Sequence, residues 1–258
     1  YITQGVPTLF GQAARTIDGT RRSTYTSNHG TLPKPIQLPI NKVFAKTPGL
    51  SFALPVYVDV WGRTDTNPNI AGRIFENFIS PGYLSKKNTT EVDEEVEKVY
   101  QSTSDAGVLP RQASSYKSYN GKTYYLQPKE LADYQTSQGQ YAYKTIDSLR
   151  KNAQYNRLTQ QQKGDALKRV YDVASEKAST EFFRGRKVAY KGDKYEKAKM
   201  FGNPADYYIA YAAMSDVKGK KDDEGKTIPG SVKEAKINAL IALGYSEERA
   251  TALYEIMN

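Results

Sequence analysis

Few side chains in this sequence are of a type and spacing that could do chemistry by themselves. There is one histidine, His29, in Ser27-Asn28-His29-Gly30, and there is no cysteine in 258 residues. A Ser/His/Asp relay or a metal centre built on one imidazole would need every partner placed by the fold, so a turn histidine is the plainer reading. Without cysteine, disulfides, thiolate nucleophiles and zinc-thiolate sites are all excluded, which suits a reducing interior or a particle assembled there. The carboxylates Glu91, Asp93, Glu94, Glu95 and Glu97 could form a metal site or a glycosidase pair. Catalytic carboxylates, however, work in individually tuned, sheltered settings, and such a run reads as the wet face of a helix. Asp216, Asp222, Asp223 and Glu224 lack the alternating ligand spacing and closing glutamate of a calcium loop. Gly185 and Gly192 are too far apart for a phosphate fingerprint, and no Lys-Ser or Lys-Thr pair closes a Walker loop after a strand. No metal, cofactor or catalytic residue is therefore assigned.

Charge is the next signal. The formal net charge is +9, which favours a polyanionic neighbour through counterion release, although solubility explains it equally well. The densest patch is Arg184, Arg186, Lys187, Lys191, Lys194, Lys197 and Lys199, seven bases against two acids, and it is where nonspecific DNA would be touched. Of 21 tyrosines, 17 lie from Tyr100 onward; they could stack on single-stranded bases, but half-wet helix packing is the stronger reading. No run reaches the roughly 18 apolar residues of a membrane span, and the N-terminus lacks a signal-peptide layout.

The elements that must position these groups change style along the chain. Eight of the 12 prolines fall in the first 81 residues, which predicts extended arms and turns. Short apolar words lie between them, at Val6 to Phe10, Val43 to Phe44, Leu50 to Leu54 and Val56 to Trp61. Such an arm should be pinned to other subunits, with Leu50, Phe52, Leu54, Val58 and Trp61 as the partner contacts. Glu91 to Gln101 reads as a helix with Val92, Val96, Val99 and Tyr100 on one face. Asn120-Gly121 between Tyr116-Lys-Ser-Tyr119 and Thr123-Tyr-Tyr-Leu126 is a type I′ hairpin signature. Pro128 opens a long helix reaching about Tyr155, and Thr159 with Gln162 caps a second one bearing Ala166, Leu167, Val170, Tyr171, Ala174, Ala178 and Phe182. Asp206 to Met214 reads as helix; Ser231 with Glu234 and Ser246 start two more, separated at Gly244. The last pair is helix-turn-helix-like, but its second helix has only Arg249 as a base, so base readout from it is not expected. The expected fold is mainly α, with an extended irregular arm over 1–82, a helical domain over 83–200 with a hairpin near 116–126, and a C-terminal helical group over 201–258. Opening at Tyr1, the chain reads as a fragment of a longer polypeptide.

Several words resemble a large polyvalent protein-associated domain, found in the very long chains that tailed phages and prophages package or eject with their DNA. They are Val6-Pro-Thr-Leu-Phe-Gly-Gln-Ala-Ala-Arg-Thr-Ile-Asp18 with Arg21-Arg22, Pro48-Gly-Leu-Ser51 to Asp59-Val-Trp-Gly62, Phe78-Ile-Ser-Pro-Gly82, and Gly230-Ser231 with its two helices. The resemblance implies a noncatalytic module of a virion protein, internal or ejected, held by protein contacts and delivered with or near the genome. Its partners would be other virion proteins (portal, tail or copies of itself) in an oligomeric arrangement. Its place would be the virion, the host cytoplasm during assembly, and the host cell after ejection. A sequence-independent nucleic-acid-binding module and a structural tail or portal-associated component are the alternatives. A virion-carried cell-wall hydrolase ranks behind them.

Overall fold

The computed structural model describes residues 18, 20, 22–24, 34–47, 50–64, 90–222 and 224–258. Among them the fold is mainly α, with nine α-helices and one two-stranded antiparallel hairpin. The chain forms two compact units, one from Tyr1–Asn88 with Arg111–Gln140, the other from Thr89–Pro110 with Tyr141–Asn258. The boundary expected at 200 falls inside the second unit.

The first unit contains α1 (Lys34–Phe44), a 3-10 turn at Leu50–Ala53, the hairpin β1 (Tyr116–Tyr119) and β2 (Lys122–Tyr125), and the start of α3 (Pro128–Arg150). Helix α1 was not expected in a proline-rich stretch. Pro35 stands in its first turn, where a missing amide costs nothing, so only Pro39 removes an interior bond. In the hairpin, Tyr119 pairs with Lys122 across Asn120 and Gly121, whose φ values of 48° and 72° are the two left-handed residues that a type I′ turn requires. Leu126 is fully buried, and its amide donates to the Ser115 carbonyl, closing the open end. Lys117 lies over the Tyr134 ring at 4.2 Å, tying the hairpin's inner face to α3.

In the second unit, α2 (Glu91–Thr103) begins at a capping box in which Thr90 Oγ1 accepts from the Asp93 amide while Asp93 accepts from the Thr90 amide. Its buried Val92, Val96 and Val99 repeat at helical spacing and face α5 (Gln160–Gly185). The box at Thr159 and Gln162 starts α5, as the spacing predicts. The long helix from Pro128 stops at Arg150, and the short α4 (Ala153–Asn156) carries Tyr155 into the core. Along α5 the buried stripe runs Ala166, Leu167, Val170, Val173, Ala174, Ala178 and Phe183. Phe183, not Phe182, is the enclosed phenylalanine, stacked on Tyr190 at 4.9 Å. After α6 (Asp193–Lys199) comes α7 (Pro204–Met214), buried on all sides because α5, α6, α8 (Ser231–Ala242) and α9 (Glu247–Met257) surround it. Gly230, not Ser231, is the N-cap of α8; the Ser231 hydroxyl instead donates to the Ile228 carbonyl at 2.7 Å. Ser246 caps α9 as expected.

Candidate functional site

The five residues expected to meet partners divide into two sets. Leu54, Val58 and Trp61 are buried at 6, 7 and 2% exposure, whereas Leu50 and Phe52 stand out at 46 and 56%. The first three are therefore corrected from partner contacts to core residues of this chain. Each residue of Asp59-Val-Trp-Gly62 has a local physical role. The Asp59 carboxylate accepts from the Trp61 and Arg63 amides and from Arg63 Nε, clasping a tight turn. Gly62 takes φ +73° and lies flat against α3, where an added Cβ would stand 2.5 Å from the Thr136 carbonyl oxygen. The reciprocal position is Gly139, whose Cβ would meet Gly62 N at 2.2 Å and Trp61 C at 2.4 Å. Two glycines thus let a loop backbone touch a helix backbone. Gln135 fixes the register, its amide nitrogen donating to the Val60 carbonyl at 3.2 Å and its oxygen accepting from the Ala113 amide at 2.6 Å.

A second clasp comes from the N-terminal side. Arg22 grips Asp18 bidentately, Nε to Oδ2 at 2.7 Å and Nη2 to Oδ1 at 3.1 Å, while its Nη1 donates to the Leu54 carbonyl. Ser51 Oγ donates to the same carboxylate at 2.8 Å, and the Ser23 amide bonds the Pro55 carbonyl. Burial raises the pKa of Asp18, yet the bonds from Arg22, Ser51 and the Thr20 amide, with the Arg22 charge, outweigh it and hold the carboxyl below its ordinary range. The segment expected to hang as an arm is, at these residues, folded against its own chain. The local sequence gives Asp18, Arg22, Gln135 and Gln140 no distinguishing role, and Gly139 lies in a stretch that reads as plain helix. A glycine in the middle of a helical pattern was the one available signal of close packing.

The basic patch is brought together, but not as bare charge. Lys194 pairs with Asp172 at 2.6 Å, Lys199 with Glu196 at 2.9 Å and Lys191 with Asp193 at 3.9 Å. Lys197 donates to the Met257 carbonyl at the end of α9, and Arg186 lies over the Phe182 ring at 4.9 Å. Glu176 of α5 accepts from the Lys194 and Tyr195 amides, capping α6 from outside. Asp172 and Glu176 arrive from the preceding helix, so the local excess counted along the sequence is partly neutralised. Arg184 and Lys187 are exposed and form no ion pair among the described residues.

The remaining signals have structural placements. In α2, Glu91 pairs with Arg150, Asp93 caps, and Glu97 accepts from Gln101. Glu95 departs from the wet-face expectation: its side chain is 13% exposed and faces buried Lys163 at 3.6 Å. Tyrosines pack: Tyr141 and Tyr208 share a hydroxyl bond of 2.8 Å, Tyr171 donates to the Val108 carbonyl, and the Arg169 guanidinium lies 4.2 Å from the Tyr211 ring centre and 5.5 Å from that of Tyr207. Burial pushes the Tyr208 and Tyr155 hydroxyls well above the ordinary phenol range. Arg249 spends its charge on buried Asp206, Nη2 to Oδ2 at 2.7 Å, and Tyr245 donates to the other oxygen. Among the described residues no three His, Cys, Asp or Glu side chains converge as metal ligands, and no helix is long and apolar enough to cross a membrane. His29, Asp223, Arg21, Val6 to Phe10 and Phe78 to Gly82 lie outside the described residues. No family model, curated protein or solved structure matches the chain.

Proposed function

We propose that this chain is a noncatalytic module of a phage virion protein, internal or ejected, held in the particle by protein contacts and carried with or near the genome. The virion class comes from the word resemblance. The observation that carries the contact reading is the display of Leu50 and Phe52 from a segment anchored by buried Leu54, Val58 and Trp61. The 3-10 turn presenting them is tied down at Ser51 and Leu54, so a partner would meet a preorganised pair and little ordering entropy is lost on association. An exposed aromatic beside an aliphatic residue is the kind of anchor that dominates small interfaces.

The test is a Leu50→Asp, Phe52→Asp double variant in the assembling particle. The chain should vanish from purified particles while the far-ultraviolet circular dichroism and Trp61 emission of the free protein stay unchanged. Normal incorporation of the variant would overturn the reading. A second reading, sequence-independent binding of nucleic acid, is favoured by exposed Arg184 and Lys187; a steep salt slope on unrelated duplexes, lost on Arg184→Ala, Lys187→Ala, is its signature. A ring of copies at the portal or tail in a particle reconstruction would select the structural tail or portal alternative.

A further inference from the structure

One part of the second unit is held there by contacts alone. Thr89–Pro110 enters it from between two stretches of the first unit, so neither end of the segment continues directly into Tyr141–Asn258. The segment contains α2 and the 3-10 turn Ala106–Val108, and both rest on α5. Their seat is Gly164, where an added Cβ would lie 3.3 Å from Val108 Cγ1, 3.8 Å from Val99 Cγ1 and 3.9 Å from Thr103 Cγ2. Val92, Val96, Val99 and Val108 are the buried apolar residues of the segment, so the greasy part of its docked face is built from small side chains.

The polar part of that face is poorly matched. Glu95 of α2 and Lys163 of α5 are both taken out of water, with side chains 13 and 5% exposed, yet Nζ and Oε1 stand 3.6 Å apart, beyond hydrogen-bond reach. Lys163 Nζ lies 5.0 Å from the centre of the Tyr155 ring. The Tyr155 hydroxyl and Glu95 Oε1 are buried and have no hydrogen-bond partner among the described residues. Burial, and after it the Glu95 charge, push that hydroxyl up, which sets the carboxylate and the phenol in one enclosure. Desolvated charges repay their cost only when the geometry is good and the spare lone pairs are satisfied, and neither holds here. The better ion pairs of the segment stand at its rim. Asp105 meets Lys168 at 3.0 Å with both side chains 37% exposed, and Glu91, itself 70% exposed, meets Arg150; water screens such pairs. Lifting the segment would therefore hydrate Glu95, Lys163 and Tyr155 in exchange for the cover of four valines, and α5 would keep its packing on α7.

We propose that residues 90–110 form a strap that lifts off α5 as a unit while α5 to α9 stay folded, with the contact of Glu95, Lys163 and Tyr155 as its weakest hold. Open, the strap bares Gly164 and the flank of α5 around it. The device is separate from Leu50 and Phe52 and from Arg184 and Lys187, and it stands or falls independently of both readings above. The first test is hydrogen exchange of the unmodified full chain, read by mass spectrometry across low urea. Peptides from 92–108 should share one opening, at least about tenfold less protected than 205–214 and less sensitive to urea, because less surface is exposed. The chain has no cysteine, so a thiol placed at either of two fully buried positions, Val99→Cys or Ala210→Cys, gives a second readout. The thiol at 99 should react at least about tenfold faster than the one at 210. Glu95→Leu with Lys163→Met replaces the mismatched pair by apolar side chains; it should slow exchange of 92–108 at least about threefold and leave 205–214 as in the parent. The proposal is overturned if 92–108 and 205–214 exchange through one opening with the same urea dependence, if the two thiols react alike, or if the apolar pair leaves 92–108 unchanged or faster.

Discussion

Replacing Gly139 with alanine tests the central packing claim, because intrinsic propensity and tertiary contact predict opposite signs. In an open helix the change stabilises by about 0.5–1 kcal/mol. Here the new methyl would stand 2.2 Å from Gly62 N, 2.4 Å from Trp61 C and 2.7 Å from the Val60 oxygen. All three are backbone atoms, so no rotamer change relieves the clash and the loop must lift. Lifting it exposes Trp61, now 2% exposed, and breaks the Gln135 and Gln140 bonds to the Val60 and Gly62 carbonyls. Losing a buried aromatic costs about 3–5 kcal/mol, so the net expectation is a destabilisation of about 2–4 kcal/mol after the helix gain. The assay is urea unfolding followed by emission of the single tryptophan, which reports on the seat itself. The variant should show red-shifted emission before any unfolding and a lower midpoint. Gly185→Ala, where a Cβ meets nothing within 4 Å, is the control and should be neutral or slightly stabilising. A Gly139→Ala protein as stable as the parent, with unshifted emission, would refute the backbone-on-backbone contact and with it the self-contained seating of residues 50–64.

Two further outcomes are expected. Because the folded carboxyl of Asp18 lies below its ordinary value of 3.8, the unfolded chain binds the proton more readily. Its contribution is then fully present above that value and is lost as pH falls through the lower folded one; acid titration of Trp61 emission should show a transition that Asp18→Asn removes, and superimposable profiles would count against the clasp. Arg249→Ala leaves the Asp206 carboxylate, in a residue 6% exposed, held by Tyr245 alone, and should cost about 1–3 kcal/mol in denaturant midpoint, toward the low end because Arg249 itself is 42% exposed. Asp206→Ala in that background should recover part of the loss; an unchanged midpoint in the single variant would show that the pair is structurally idle.

What was legible in the sequence is what neighbours in sequence decide. Asn120-Gly121 sets its own turn, Thr159 bonds the amide three residues on, and the valines of α2 face inward because helical spacing puts them together. Such signals act over a few residues, so the mainly helical fold followed from them. Ser231 shows the limit even there: it matches a capping pattern, yet the chain turns at Gly230 and turns the hydroxyl back to Ile228. The candidate sites depended on longer range. Proline density argued for an arm, but whether Trp61 is covered depends on Gly139, many residues away, and the sequence around Trp61 does not contain that information. The strength of the 184–199 patch likewise depended on acids that another helix supplies. Local backbone preference is written residue by residue; burial and net field are properties of what the fold brings alongside, and only the tertiary structure decided them.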